Sequence, residues 1–228
     1  MLLISDDTYL RQLTHFFWEN DQNPDEGTLS RLALYSRLLA EKNEVLNLVS
    51  RKDIENIVEN HVFISAFITK FLPERASAFL DIGTGGGLPG IPFAIIRPDL
   101  QGVVVDSIAK KTKAVNEFVE RLMLRNVAVE NSRVEAVDFV KKYSGKFDII
   151  ISRATVDLLT LVRYSIPLIK DKAAMLLLKG GDIAGEFDAA REKYGYMIKR
   201  STTYELRYKP TNTKNEKGKK LVYLELYK

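Results

Sequence analysis

Residues 79–96 read "FLDIGTGGGLPGIPFAII": an apolar run ends in an aspartate, and five glycines then fall between positions 83 and 90. The run has the length of a short buried strand. Pro89 and Pro92 suit the first turn of a helix, where no intrahelical N–H bond is required. Between them, Gly83, Gly85 and Gly87 let the backbone turn sharply and approach a bound group without a Cβ in the way. Outward from this strand–loop–helix unit the rhythm repeats. Short apolar runs recur at "GVVVDS" (102–107), "VAVEN" (127–131), "FDIIIS" (147–152) and "AMLLLKG" (174–180). Helical stretches lie between the run at 78–82, "GVVVDS" and "VAVEN", notably 110–124, where Val115, Phe118, Val119 and Leu122 share a face. This alternation predicts an α/β fold of βαβ units, with a parallel sheet and helices on both faces. The unbroken apolar runs suit strands covered on both sides. "YMIKRSTTYEL" and "KLVYLELYK" flank a polar loop and are expected to form an antiparallel pair at the end of the sheet.

Upstream, residues 1–75 read as a helical section. "LSRLALYSRLLAEKNEVLNLV" places apolar residues at helical spacing, and "DIENIVENHVFISAFITKFL" starts on Asp53 and Glu55 and stops at Pro73. The chain divides into this section and an α/β section over 76–228, together expected to be one compact unit.

The 228 residues are 46% hydrophobic and 28% charged, which describes an ordinary globular protein. Without cysteine there is neither a disulfide framework nor a thiolate metal site. No apolar run approaches the roughly 18–20 residues that cross a bilayer, and Asp6 and Asp7 interrupt any signal-peptide pattern. A cytoplasmic protein with no membrane or metal partner is expected. The net charge of +4 is unevenly placed. Lys199, Arg200, Arg207, Lys209, Lys214, Lys217, Lys219 and Lys220 are opposed only by Glu205 and Glu216 between positions 199 and 220. Such a segment is either a solvated loop or a contact for a polyanion.

The glycine loop asks for a ligand at the strand tips, where open parallel sheets bind them. Gly85, Gly87 and Gly90 satisfy G-x-G-x-x-G, a weak dinucleotide signal by itself. Asp81, two residues before the first glycine, is read as facing the ligand. There it would oppose a pyrophosphate and favour a cation such as S-adenosylmethionine, which carries an ammonium and a sulfonium but no phosphate. Asp106, ending the second strand, suits two ribose hydroxyls in either cofactor class. Nothing in the sequence forms a hydrolytic or metal constellation. The two histidines are His15, read as a packed helix residue, and His61. Methyl transfer to a free lone pair, such as guanine N7, needs only partners held in line and water kept out. An exocyclic amine or a hydroxyl would more often call for a proton acceptor.

"DIGTGGGLPGIPFAIIRPD", "VVVDSIAKKTKAV", "NSRVEAV", "FDIIISRA" and "LLLKG" follow one another as in the glucose-inhibited division protein B family, which this chain resembles over roughly residues 30–180. "LNLVS" and "ENHVFIS" are similar to that family's helical section. The resemblance implies a Rossmann-like class I methyltransferase with a mostly parallel seven-stranded sheet. It implies transfer of a methyl group from S-adenosylmethionine to guanine N7 in 16S ribosomal RNA, with that RNA or the small ribosomal subunit as partner and the enzyme acting as a monomer. Carried over residue by residue, Gly83 and Leu88 would contact the cofactor, beside Asp81 and Gly85 of the loop. Asp106 and Ser107 would meet the ribose, and Val134 and Glu135 would frame the adenine. Arg153 would touch cofactor or substrate and carry the catalytic role, while Asn47, His61 and Lys179 would line the RNA side. Where the family commonly has an aspartate three residues after the histidine, this chain has Ile64, which takes away the partner of a His–Asp pair. Two other readings are a nicotinamide-dependent oxidoreductase and a non-catalytic RNA-binding module on a methyltransferase scaffold.

Overall fold

The computed structural model describes residues 6–153, 155–209 and 219–228, so Lys214 and Lys217 of the basic segment lie outside the described residues. Seven strands form one sheet in the order β3-β2-β1-β4-β5-β7-β6. The strands β1 (Ala78–Ile82), β2 (Gln101–Asp106), β3 (Val127–Asn131), β4 (Phe147–Arg153) and β5 (Ile169–Lys179) run parallel. At the far edge β6 (Ile198–Glu205) and β7 (Lys220–Tyr227) are antiparallel, β7 pairing with β5. Because β1 pairs with both β2 and β4, the chain reverses its direction of winding beside β1. The crevice at such a switch point, outside the carboxyl ends of the strands, is where open α/β sheets hold their ligands.

Helices cover both faces. In the first section these are α1 (Asp6–Glu19), α2 (Glu26–Asn43) and the short α3 (Ile64–Phe67); α4 (Gly90–Ile96), α5 (Ala109–Arg121), α6 (Val137–Tyr143), α7 (Leu158–Ser165) and α8 (Ala184–Tyr194) alternate with the strands. Asp25 caps α2 by accepting from the Thr28 N–H at 2.9 Å. The segment expected as one helix over 53–72 is instead broken. A 3-10 turn at Arg51–Asn56 and a π-helical turn at Val58–Phe63 precede α3, and a second 3-10 turn follows at Ile68–Phe71. Its apolar residues do not keep to one stripe: Val58, Val62, Phe63, Ile64 and Ile68 are all within 1% of complete burial. A regular helix with one apolar face cannot bury all of them, and wider turns of this kind often occur at functional sites. His61 sits in the π turn.

Alternation along β1 decides what lies on each side of the sheet. Phe79 joins a hydrophobic cluster that is continuous with Tyr9, Leu13 and Phe17 of α1, Tyr35 and Leu39 of α2, and Phe118 of α5. Leu80 and Ile82 join the opposite cluster with Val103, Ile150, Leu161 and Met175. The helical section thus shares its core with one face of the sheet. His15, expected to be packed, is exposed on α1.

Candidate active site

The loop after β1 is held open by its glycines. Gly83, Gly85 and Gly87 have φ of +72°, +57° and +95°. A Cβ on Gly83 would meet Thr155 Cγ2 at 2.2 Å. The Gly83 and Thr84 N–H groups donate to the Val105 carbonyl at 2.9 and 3.0 Å, and the Gly85 N–H donates to Asp106 Oδ2 at 2.9 Å. From the helical section, the Tyr35 hydroxyl donates to the Gly86 carbonyl at 2.8 Å. Beyond the loop opens a cavity of about 650 Å³, in the size range of small-molecule sites. Gly83, Gly85, Leu88, Asp106, Ser107, Val134, Glu135 and Arg153 all line it. Asp106 Oδ1 accepts from the Ile108 N–H at 2.9 Å, so each of its oxygens is anchored and keeps a further lone pair for a ribose hydroxyl.

Asp81 corrects the sequence reading. It does not line the cavity; it lies on the same face of β1 as Phe79 and is completely buried. Its Oδ2 accepts from Thr84 Oγ1 at 2.5 Å and from the Gly90 N–H at 2.9 Å, tying the loop to the start of α4. Oδ1 has no hydrogen-bond partner among the described residues. Its role is therefore to brace the loop from beneath, and direct contact with a cation or a pyrophosphate is not available to it. Burial, opposed by those two bonds and the Arg153 charge, pushes its pKa from 3.8 up to about 7. Between these values the folded state keeps a proton that the unfolded state has released, so stability falls as pH rises from about 4 to about 7. We expect Asp81→Asn to remove this slope in cofactor-free thermal melts. A shift of about three units corresponds to on the order of 4 kcal/mol across that window. Parallel melting curves for both proteins would reject it.

A second cavity of about 350 Å³ adjoins the first, and Arg153 lines both. Arg153 Nη1 donates to the Asn60 carbonyl at 3.4 Å and Nη2 makes a short contact with His61 Nδ1. A guanidinium has no acceptor, so Nδ1 accepts and the imidazole proton sits on Nε2. That nitrogen faces Asp53 Oδ2 at 3.4 Å, at an angle outside hydrogen-bonding geometry. Burial first, then the charges of Arg153 and Lys219, hold His61 down to about 2, so it is neutral. Burial also lowers Arg153, which has no carboxylate in ion-pair contact among the described residues. The acid absent at Ile64 is thus replaced in space by Asp53, from an earlier turn.

Lys179 lines this cavity, but its ammonium donates to the Val156 carbonyl at 2.7 Å and pairs with Glu186 at 2.8 Å. Asn47, expected on the RNA side, stands apart from both cavities. It is exposed; the next residue, Leu48, reaches the cofactor side because Asn43 Oδ1 accepts from the Leu48 and Val49 N–H groups and turns the chain there. Part of the basic segment points inward: Lys219 Nζ donates to the Asn60 carbonyl and Oδ1 at 3.2 and 3.1 Å. Burial, then Arg153, lowers its pKa to about 8. Sequence reasoning missed Asp53 and Tyr35 as site residues and had Lys219 only within a basic segment read as a solvated loop or a polyanion contact. Asp53 looked like a helix start, Tyr35 was not singled out, and neither carried a local signal of the cavity it serves.

A glycine cradle at the switch point and an acid closing β2 define a Rossmann-like nucleoside-cofactor site, and membership of a methyltransferase family makes the chain a class I, S-adenosylmethionine-dependent methyltransferase. The fold is shared with a solved SAM-dependent methyltransferase from Aquifex aeolicus, which superposes with a TM-score of 0.57 at 17% identity over 82% of this chain and 98% of that one. The family model described as GidB, rRNA small subunit methyltransferase G, matches residues 28–212. Ribosomal RNA small subunit methyltransferase G of Chlorobaculum tepidum is 39% identical over 175 residues, covering 74% of this chain and 77% of that protein. Its counterpart in Acetivibrio thermocellus is 34% identical over 158 residues, covering 69% of this chain and 65% of that protein. The chain belongs to the GidB family.

Proposed function

We propose that this protein methylates N7 of a guanine in 16S ribosomal RNA, with S-adenosylmethionine bound in the larger cavity and the base in the smaller one. The observation that carries the reading is Arg153, a desolvated cation common to a glycine-lined cavity and a basic one. Its guanidinium is suited to an anion of cofactor or substrate, since burying it without one is costly. S-adenosylmethionine, when bound, supplies a methyl group already activated on a sulfonium. The chain's own residues then have to bind, orient and exclude water. Gly83, Gly85 and Leu88 would take the methionine end, Asp106 and Ser107 the ribose, and Val134 and Glu135 the adenine. Asp81 acts through the loop and Lys179 through Glu186. A neutral His61 whose acceptor nitrogen is already occupied by Arg153 is unsuited to take a proton, which agrees with a nucleophile that has none to lose. The base must be unpaired or splayed out to reach the site. No helix among the described residues is long and apolar enough to cross a membrane, and a cytoplasmic enzyme acting on RNA fits the family.

Calorimetric titration with S-adenosylmethionine and, separately, a reduced nicotinamide dinucleotide should give heat for the methyl donor alone. Labelled methyl should then appear on N7 of one guanine in small-subunit RNA. Binding of the dinucleotide alone, or label on an exocyclic amine or ribose, would overturn the reading. Binding of the donor without transfer to any RNA would favour the non-catalytic module.

A further inference from the structure

Asp53 stands in the second cavity with Lys52, Arg153, Lys179 and Lys219, yet its carboxylate forms no ion pair with a lysine or arginine and accepts no hydrogen bond among the described residues. Its side chain is 38% exposed, toward the cavity, and the neutral His61 is its close polar neighbour at 3.4 Å. A carboxylate is an acceptor only, with two oxygens side by side. Among the RNA bases, guanine alone presents two adjacent donors on its Watson–Crick edge, the N1–H and the 2-amino group. Adenine and cytosine set one amino donor beside a ring acceptor, and uracil sets its ring N–H between two carbonyls. Splayed RNA bases are read on these edges. A guanine held by its N1–H and 2-amino group keeps O6 beside N1 on that edge and turns N7, on the Hoogsteen edge, away from the carboxylate. Arg153, shared with the cofactor cavity, lines the same small cavity.

We propose that Asp53 determines the specificity of the reaction, its two oxygens accepting from N1–H and the 2-amino group of the target guanine, with His61 Nε2 beside it at 3.4 Å. This rests on the reading that guanine N7 is the methyl acceptor. In that reaction the N7 lone pair forms the new N–C bond and the S–C bond breaks with its electron pair left on sulfur. No proton moves, and the positive charge passes to the purine. The Asp53 carboxylate on the edge of that ring favours the charge as it develops.

The test compares guanosine with inosine, which lacks only the 2-amino group and keeps N7. The methylated guanine is first located by label transfer, and the RNA is then rebuilt with inosine at that position. The wild type should methylate guanosine at least about tenfold faster than inosine, the range of one hydrogen bond to a charged group. Asp53→Ala and the isosteric Asp53→Asn should reduce that preference to within about threefold, with S-adenosylmethionine affinity by calorimetry unchanged as the check that the fold is intact. Equal use of the two RNAs by the wild type, or an undiminished preference in either folded variant, overturns the proposal while guanine methylation stands. If wild-type protein transfers no methyl to the guanosine RNA, the N7 reading itself falls and this inference with it.

Discussion

Arg153→Ala is expected to lower the turnover of methyl transfer at least a hundredfold while changing the KM for RNA by less than about threefold. A loss of that size follows when reacting groups shift by about an ångström. The guanidinium reaches His61 Nδ1 with one nitrogen and the Asn60 carbonyl with another, so it fixes the wall between the two cavities. Removing it leaves a buried imidazole nitrogen with no donor and opens the route along which water is to be excluded. Folding should suffer little, because losing these bonds is offset by no longer burying a cation without a carboxylate partner. A melting temperature within a few degrees of wild type corresponds to about 1 kcal/mol for a chain of this size. Arg153→Lys should not restore the rate: a single ammonium cannot reach both acceptors in the plane that the guanidinium spans. Turnover within tenfold of wild type would reject the assigned role.

Gly83→Glu is expected to weaken S-adenosylmethionine binding at least a hundredfold, so that calorimetry detects no heat at concentrations that saturate the wild type. Two effects combine at this position. Its φ of +72° costs a residue with a side chain about 1–2 kcal/mol. The new Cβ would also lie 2.2 Å from Thr155 Cγ2, the body of a short branched side chain that cannot swing away. Relieving that clash moves the loop after β4, which carries the other wall of the cavity. Gly85→Ala separates the two causes. Its φ is +57°, yet nothing lies within 4 Å of a Cβ there. Strain alone should therefore lower this variant's stability by about 1–2 kcal/mol and its affinity by no more than roughly five- to thirtyfold, the limit reached if the free loop relaxes fully. Equal losses in the two variants would mean that backbone strain, and not the approach to Thr155, sets the effect.

Punctuation and continuous apolar runs made the sheet legible. Strand β3 falls at the expected 127–131, β4 extends the expected run by Arg153, and β6 and β7 form the expected antiparallel pair. These signals are local: a buried strand needs only its own β-branched and leucine residues, and a bare loop needs only its own glycines. Gly83, Leu88, Asp106, Val134, Glu135 and Arg153 line one cavity because each lies at or after a strand end, and strand ends of a parallel sheet share one rim; Leu88, Val134 and Glu135 came from the family resemblance and not from a local pattern. Asp81 was misread although it sits in that same stretch. One residue of offset along a strand sends a side chain to the opposite face, and the loop that would have shown it to the ligand curls over it. The smaller cavity was hidden more deeply. It needs Asp53 and His61 from the helical section, Arg153 from β4, Lys179 from β5 and Lys219 beside β7. The first and last of these stand more than 160 positions apart. The sequence by itself determined the layered sheet, its glycine cradle and the line of residues along its rim. Only the packing of residues 51–64 against the strand tips brought a carboxylate, a neutral imidazole and a shared guanidinium into one cavity, because that contact is set by burial of apolar faces distant in the chain and leaves no local pattern.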